Sequence, residues 1–373
     1  MKRIPALDGI RGIAILFVLV WHYFTIQAHA EPNTLLYHPV EFLVKATRLA
    51  WSGVDLFFVL SGFLIGGILL DNRLADSYYK TFYVRRALRI LPLYLLMVAS
   101  YIVLVKRPPE NLQWLYENSP PIWSFLTFTQ NYVMGMNEAF GGNWLGVTWS
   151  LAIEEQFYLI LPFLIRTIKK EILPYFLVAA ILVGPVSRFF IEGLGAYVYT
   201  FCRTDALMLG VLVAWLVRRP GAAEFLRRHL GVLVAVFIVL SIGAVGLTFN
   251  VVRPGRFFNY FWLALLYGNF ILLAFLLQDS RLGRFLAGPI PVWFGLRSYC
   301  IYLIHQGVSG LWHLSLRHGP PEMSNPKDVY ATILSFVTVL VLAELSYRFI
   351  ETPILNLGHR FRYQRTDSGT ASA

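Results

Sequence analysis

Long apolar runs, broken by short polar or Gly- and Pro-bearing connections, set the layout of this chain. A run of about 17 to 25 residues can cross a hydrocarbon layer of about 30 Å as a helix. Ten runs of that kind are expected near 10–28, 53–70, 86–105, 149–166, 172–191, 203–217, 230–248, 258–277, 290–312 and 329–350. Because a lipid-crossing segment has to satisfy its backbone hydrogen bonds internally, helices are the natural reading. The expected fold is all-α, a polytopic membrane bundle of about ten transmembrane helices. No internal repeat, heptad run or low-complexity block interrupts the pattern.

One connection is long. From Lys106 to Thr148 the chain carries Pro108, Pro109, Pro120, Pro121, Gly135, Gly141, Gly142 and Gly146, and a loop of such length is usually functional or disordered. Within it Ile122 to Met134 is apolar but too short to span, which predicts a re-entrant or interfacial piece. Trp114, Trp123 and Trp144 fit either a sugar-stacking role or an interfacial aromatic belt.

Composition agrees with the pattern. Hydrophobic residues make up 57% of the 373 positions and charged residues 14%, with a mean hydropathy of +0.58. These values predict an integral membrane protein. The net charge of +11 is carried largely by connections that would share one side, including Arg73, Lys80, Arg166, Lys169, Lys170, Arg218, Arg219, Arg281 and Arg284. Basic residues are retained on the cytoplasmic side, so both termini are expected inside, and attraction to membrane lipids accounts for the charge without nucleic acid. Cys202 and Cys300 have no CxxC partner, so neither a disulfide framework nor a metal site is expected. Lys2 and Arg3 precede an apolar run that no small-residue cleavage site follows, which reads as a retained first span. The membrane domain is expected over 1–358, with a short basic and polar tail, frayed, over 359–373.

Ionisable groups inside spans cost roughly 2.5 to 3.5 kcal/mol each and mark paths or sites. In the first span, Ile10 to Tyr23 is apolar apart from Arg11 at its start and His22 near its end. Eleven helical residues turn through about 1100° and rise roughly 16 Å, so the two share nearly one face. A His facing the headgroups is the plain alternative. In Phe82 to Tyr94, Arg85 and Arg89 are four apart and Arg86 and Arg89 three apart, so their side chains converge. Guanidinium groups bind phosphate bidentately. A nucleotide bearing several phosphates and simple anchoring fit this cluster equally.

Four more polar groups stand in the apolar runs. Asp55 stands near one end of the second span and needs a partner, an Arg, a His or a helix N-terminus, while glycines 62, 66 and 67 allow close backbone approach. Ser150, Glu154 and Tyr158 recur every four residues in the fourth span, and the adjacent Glu155 cannot point the same way. Two acids, a Gln and a Tyr in one turn imply a lining of water or substrate. Arg203 and Asp205, at the mouth of the sixth span, read as a local ion pair. Ser298, Tyr302 and His305 form one stripe on the ninth, suited to substrate orientation or to a buried network.

Seven blocks, in order, resemble those of the membrane acyltransferase-3 family: RIPALDGIRGIAILFVLVWHYF, GVDLFFVLSGFLI, YVRRALRILPLY, TWSLAIEEQFYLILP, FCRTDALMLG, SYCIYLIH and YRFIETP. The resemblance implies transfer of an acyl group, most often acetyl, from cytoplasmic acyl-CoA to a hydroxyl of a carbohydrate or glycosylated small-molecule acceptor. No permanently bound cofactor is implied. It matches Arg11 and His22 to an essential pair, with His22 catalytic, and Arg85, Arg86 and Arg89 to the donor site. Glu154, Glu155, Arg203, Asp205, Tyr302 and His305 match other characteristic polar positions. Cys300 departs from the family pattern, where a small hydroxyl residue is common. No esterase domain follows the last span in this sequence, which resembles a standalone branch of the bacterial cytoplasmic membrane.

Residue chemistry and resemblance together suggest His22 as general base, Glu154 or Asp55 as the carboxylate that orients its ring, and Tyr302 or an Arg at the oxyanion. Glu155, Tyr158, Ser298, His305, Arg203 and Asp205 are then expected to contact substrate. A transporter or flippase for a polysaccharide or lipid-linked sugar is the rival from another class.

Overall fold

The computed structural model describes residues 4–29, 37–106, 112–249 and 256–364. Ten long helices account for the bundle: α1 (Pro5–Val20), α2 (Gly53–Asp71), α3 (Tyr78–Lys106), α4 (Trp149–Thr167), α5 (Leu173–Phe190), α6 (Thr204–Leu216), α7 (Leu230–Thr248), α8 (Arg256–Leu276), α9 (Pro289–Arg317) and α10 (Pro326–Ser346). Each coincides with one of the ten apolar runs. The first starts five residues early, because Pro5 occupies the first helical turn, where its missing N–H leaves no gap in the ladder. Among the described residues the isolated bridge between Ala28 and Met323 is the one extended pairing.

Seven helical segments among the described residues are long and apolar enough to cross a membrane, and α4, α6 and α9 are not among them. α6 has 13 residues, α4 carries Glu154, Glu155 and Arg166, and α9 carries Arg297, His305, His313 and Arg317. Two of these three, α4 and α9, carry polar stripes, and α6 falls short in length. Their surroundings permit this. α6 packs chiefly on α2 and α5, and α9 on α1 and α10, whereas α7 leaves Val232, Ile238, Val239 and Ile242 exposed.

Glycine sets two of these contacts. A Cβ built on Gly62 would lie 1.9 Å from the Leu207 carbonyl oxygen, and one on Gly210 2.1 Å from that of Val59, so α2 and α6 touch backbone to backbone. α1 and α9 do the same: a Cβ on Gly12 would lie 2.0 Å from the Pro291 oxygen and one on Gly295 1.8 Å from that of Asp8, while one on Gly9 would lie 1.7 Å from the oxygen of Leu286, at the end of the short helix Arg281–Leu286 that precedes α9. Small residues permit such approach between helices in lipid.

The connection from Lys106 to Thr148 is partly helical, with short helices Gln113–Tyr116, Ile122–Leu126 and Gln130–Met136. Gln130 and Asn131 are buried there and bond to Thr148, Val198 and Thr200, which ties the segment into the bundle. The tail is ordered further than expected. Through Gln364 it is hydrogen-bonded to the start of α3 and the turn before it: Arg85 Nε donates to the Phe361 carbonyl at 2.8 Å, Ser77 Oγ to that of Arg362 at 3.0 Å, and the Asp76 amide to that of Gln364 at 2.9 Å. Lys2, Arg3, Pro108, Pro109 and the tail from position 365 lie outside the described residues.

Candidate active site

His22 belongs to a π-helical turn, Trp21–Thr25, that extends α1. Such turns are rare and frequently accompany functional sites. The Ile26 amide bonds to the Trp21 carbonyl at 3.1 Å and the Gln27 amide to that of Phe24 at 3.1 Å. The Gln27 side-chain amide donates to the His22 carbonyl. Next in the turn, the Tyr23 hydroxyl donates to the His305 backbone carbonyl at 2.8 Å and accepts from Ser335 Oγ at 2.9 Å, so the turn is pinned to α9 and α10.

The His22 ring faces another imidazole. Its Nδ1 lies 3.0 Å from the Val18 carbonyl oxygen and 3.2 Å from Nε2 of His305. The register follows from the glycine contacts. Gly12 and His22 meet Gly295 and His305 in the same chain order, so α1 and α9 run parallel. His22 and His305 each stand ten residues beyond the glycine, Gly12 or Gly295, that holds the helices together.

Three cavities lie along the polar stripes. The first, about 150 Å³, is lined by Arg85, Arg86, Arg89, His359 and Tyr363. The second, about 100 Å³, is lined by Arg11, Ser61, Arg86, Arg89, Ser150, Glu154, Tyr158, Ser298 and Tyr302 among others. The third, about 660 Å³, holds His22, Trp21, Trp51, Trp149, Tyr197, Tyr260, Tyr302, Asn143 and Gln306 in its wall. Arg86 and Arg89 are common to the first and second, and Val54 and Tyr302 to the second and third. A row of shared walls thus connects the arginine cluster to His22.

Within the middle cavity, cations outnumber acids: Arg11, Arg86 and Arg89 stand against Glu154. Arg11 also meets Asp8 at 3.4 Å. The Arg86 guanidinium lies 5.4 Å over the Tyr158 ring, and the Tyr158 hydroxyl bonds to Ser61. Tyr302 donates to the Val147 carbonyl at 2.9 Å and its hydroxyl is paired with Ser150 Oγ. Ser298 Oγ donates to the Gly295 carbonyl at 2.9 Å. Glu155 is absent from the cavity wall, and its Oε1 is buried with no hydrogen-bond partner among the described residues.

Asp55 is elsewhere. It accepts a hydrogen bond from Arg203 in a pair whose side chains are both 0% exposed. Asp205 pairs with Arg188 at 2.6 Å, again fully buried. The local Arg203 and Asp205 pair expected from their spacing does not form; each reaches across to another helix. Nor is the His22 ring held by a carboxylate among the described residues, because Val18 and His305 occupy the positions expected of Asp55 or Glu154.

Several of these residues escaped sequence reading. Arg188 is a lone cation in an apolar run, and the cost of such a residue in a span was the available signal. Gly9 and Gly12 are three residues apart and so fall on one side of the helix, where small residues allow another helix to approach closely. The aromatic residues of the large cavity, Trp21, Trp51, Trp149, Tyr197 and Tyr260, come from five separated places, and no spacing in the sequence joins them. The loop contributes Phe140, Gly141, Asn143 and Gly146 there instead of Trp114, Trp123 or Trp144.

Comparison with known proteins places the chain in a family. A family model described as an acyltransferase domain matches residues 4–345. The O-acetyltransferase OatA of Staphylococcus aureus (strain NCTC 8325 / PS 47) is 26% identical over 393 residues, covering 96% of this chain and 58% of OatA. A Staphylococcus aureus (strain COL) protein provisionally named an O-acetyltransferase is 29% identical over 384 residues, again covering 96% of this chain and 58% of the relative. The chain therefore spans under two thirds of the length of these relatives. No solved structure matches it. With nearly the whole length matched, the chain belongs to the acyltransferase-3 family of membrane proteins.

Proposed function

We propose that this protein is a membrane O-acetyltransferase, moving acetyl from cytoplasmic acetyl-CoA to a hydroxyl of a carbohydrate or glycosylated small molecule in a bacterial cytoplasmic membrane. The observation that carries the reading is the row of cavities with shared walls, from Arg85, Arg86 and Arg89 past Arg11 and Glu154 to His22. The relatives named as O-acetyltransferases support the choice of group.

In this reading the CoA phosphates sit on Arg85, Arg86 and Arg89, as bidentate guanidinium recognition favours, and the pantetheine arm threads the middle cavity. The acceptor sugar enters the large aromatic cavity, where rings offer apolar faces and Asn143 and Gln306 offer hydrogen bonds. His22 Nε2 takes the proton of the acceptor hydroxyl as its oxygen attacks the thioester carbonyl. The oxyanion forms beside Tyr302, the residue common to both cavities, which turns its hydroxyl from Val147 to donate to it. Collapse breaks the carbon–sulfur bond, the ester forms, and the CoA thiolate leaves with the proton held on His22.

The same row of cavities would also suit passage of a polymer or lipid-linked sugar. Turnover separates the two. Purified protein in detergent, with no membrane to cross, should release CoA from acetyl-CoA in the presence of a glycan acceptor, and His22→Ala should lower this by about 10³-fold while its thermal unfolding stays that of the parent. Full turnover by His22→Ala removes the base from the mechanism, and no turnover by the parent with any acceptor favours transport.

A further inference from the structure

The two imidazoles in contact fix each other's protons. A carbonyl oxygen only accepts, so a ring nitrogen facing one must carry hydrogen. His305 Nδ1 lies 2.7 Å from the Tyr302 carbonyl oxygen and 3.2 Å from that of Ile301, and therefore holds the proton of its ring. Its Nε2 is then bare when the ring is neutral. His22 Nδ1 faces that bare nitrogen and the Val18 carbonyl, both acceptors, so it carries hydrogen in its turn. What remains on His22 is an unprotonated Nε2, the form a general base requires, on a residue that lines the large cavity.

We propose that His305 is the positioning residue for His22, doing with a neutral imidazole what a carboxylate does beside other catalytic histidines. This deepens the proposed function and rests on His22 being its base. When His22 Nε2 takes the acceptor proton, the Nδ1–H of the resulting imidazolium stays bonded to His305 Nε2, and the proton returns to the CoA thiolate from Nε2, so His305 ends unchanged. The site is built for this. His305 is fully buried, its own carbonyl is held by Tyr23, and its ring lies against those of Tyr23 and Tyr302 at centroid distances of 6.1 and 5.9 Å. A neutral partner also suits a base among lipid-spanning helices, since it adds no charge to desolvate.

The test compares His305→Gln, which keeps an acceptor oxygen near the position of Nε2, with His305→Leu, which does not. His305→Leu should lose about 100-fold in kcat, the size that a misplaced catalytic group costs, with the KM for acetyl-CoA unchanged. His305→Gln should recover most of that loss. His22→Ala combined with His305→Leu should be no slower than His22→Ala alone, as residues acting as a unit are not additive. Equal losses in the Gln and Leu variants, or a kcat for His305→Leu like that of the parent, overturn the role of His305 while leaving His22 as base. Turnover in His22→Ala like that of the parent overturns the reading beneath it. Should His305→Leu fail to fold, ¹⁵N-histidine labelling of the parent protein decides: the His22 signal, assigned by its loss in His22→Gln, should report hydrogen on Nδ1, and hydrogen on Nε2 overturns the proposal.

Discussion

The bundle holds two groups of charges, one fully buried and one half-buried around a hollow, and treats them in opposite ways. Around Arg203, two cations and two acids pair off: Arg203 with Asp55 and Arg188 with Asp205, all four side chains at most 1% exposed. The Arg203 guanidinium is packed 4.3 Å over the Tyr260 ring and 5.3 Å over that of Tyr197. Around Arg11, three guanidinium groups share a hollow with one glutamate. Matched charge with packed rings makes a joint between helices α2, α5 and α6. Around the hollow three guanidinium groups face Glu154, with Asp8 beside Arg11, and this excess of positive charge is what the proposed donor phosphates would need. The family of polar span residues that look alike in the sequence thus separates by pairing and by void.

The joint should fail as a joint. Asp55→Ala leaves a buried guanidinium without its acid, a change that costs about 3–5 kcal/mol, and thermal unfolding in detergent should shift accordingly. Replacing both partners, Asp55→Leu with Arg203→Met, should recover most of the loss, because buried ion pairs give way to apolar residues at little cost. A double variant as unstable as the single would mean that Arg203 is needed for more than charge balance. Turnover per folded molecule separates this cluster from the cavity row: it should hold in the double variant, and its collapse there would erase the distinction between the two regions.

A smaller effect is expected where the two helices of the histidine pair touch. Gly12→Leu has to push against the Pro291 carbonyl, 2.0 Å from the site of the new Cβ. Overpacking costs typically about 1–3 kcal/mol, and a displacement of about 1 Å at the reacting groups lowers turnover by about 100-fold. The expected result is a modest loss of stability with a larger loss of kcat. The converse, stability lost and kcat kept, would show that the register of α1 and α9 does not govern His22.

How far the sequence speaks follows from the same contrast. Apolar length is a local property, and all ten helices were legible from it, including α6, too short to qualify as a span on its own. Helical spacing is local as well, so Ser150, Glu154 and Tyr158 were expected on one face and do line one cavity. Pairing is not local. Asp55 and Arg203 are 148 residues apart and His22 and His305 are 283 apart, and no periodicity within one helix can join them. Hence the carboxylate expected beside His22 proved to be a histidine, and the ion pair expected between Arg203 and Asp205 proved to be two pairs. The π turn at Trp21–Thr25 was hidden for another reason: its residues, WHYFT, continue an ordinary apolar helix, and the bulge is fixed by what Tyr23 and Gln27 bond to.

The arginine cluster offers the finest test of the comparison, because its members differ in how far they are already engaged. Arg85 donates to the Phe361 carbonyl and lies 5.7 Å from the Tyr363 ring, so part of its capacity is taken by the tail. Arg86 and Arg89 line both inner cavities and are the shared wall through which a donor would pass. A hydrogen bond to a charged group contributes about 1.5–3 kcal/mol, which is about 10- to 100-fold in binding. Arg86→Ala and Arg89→Ala should therefore each raise the KM for acetyl-CoA by about 10-fold, at the low end of that range because neighbouring cations compensate, with the KM for the acceptor unchanged. Arg85→Ala should do less. Equal effects from all three would point to a diffuse positive field acting by attraction alone, and raised salt would then mimic the substitutions. A graded effect that salt does not reproduce would tie the donor to the two arginines in the cavity walls.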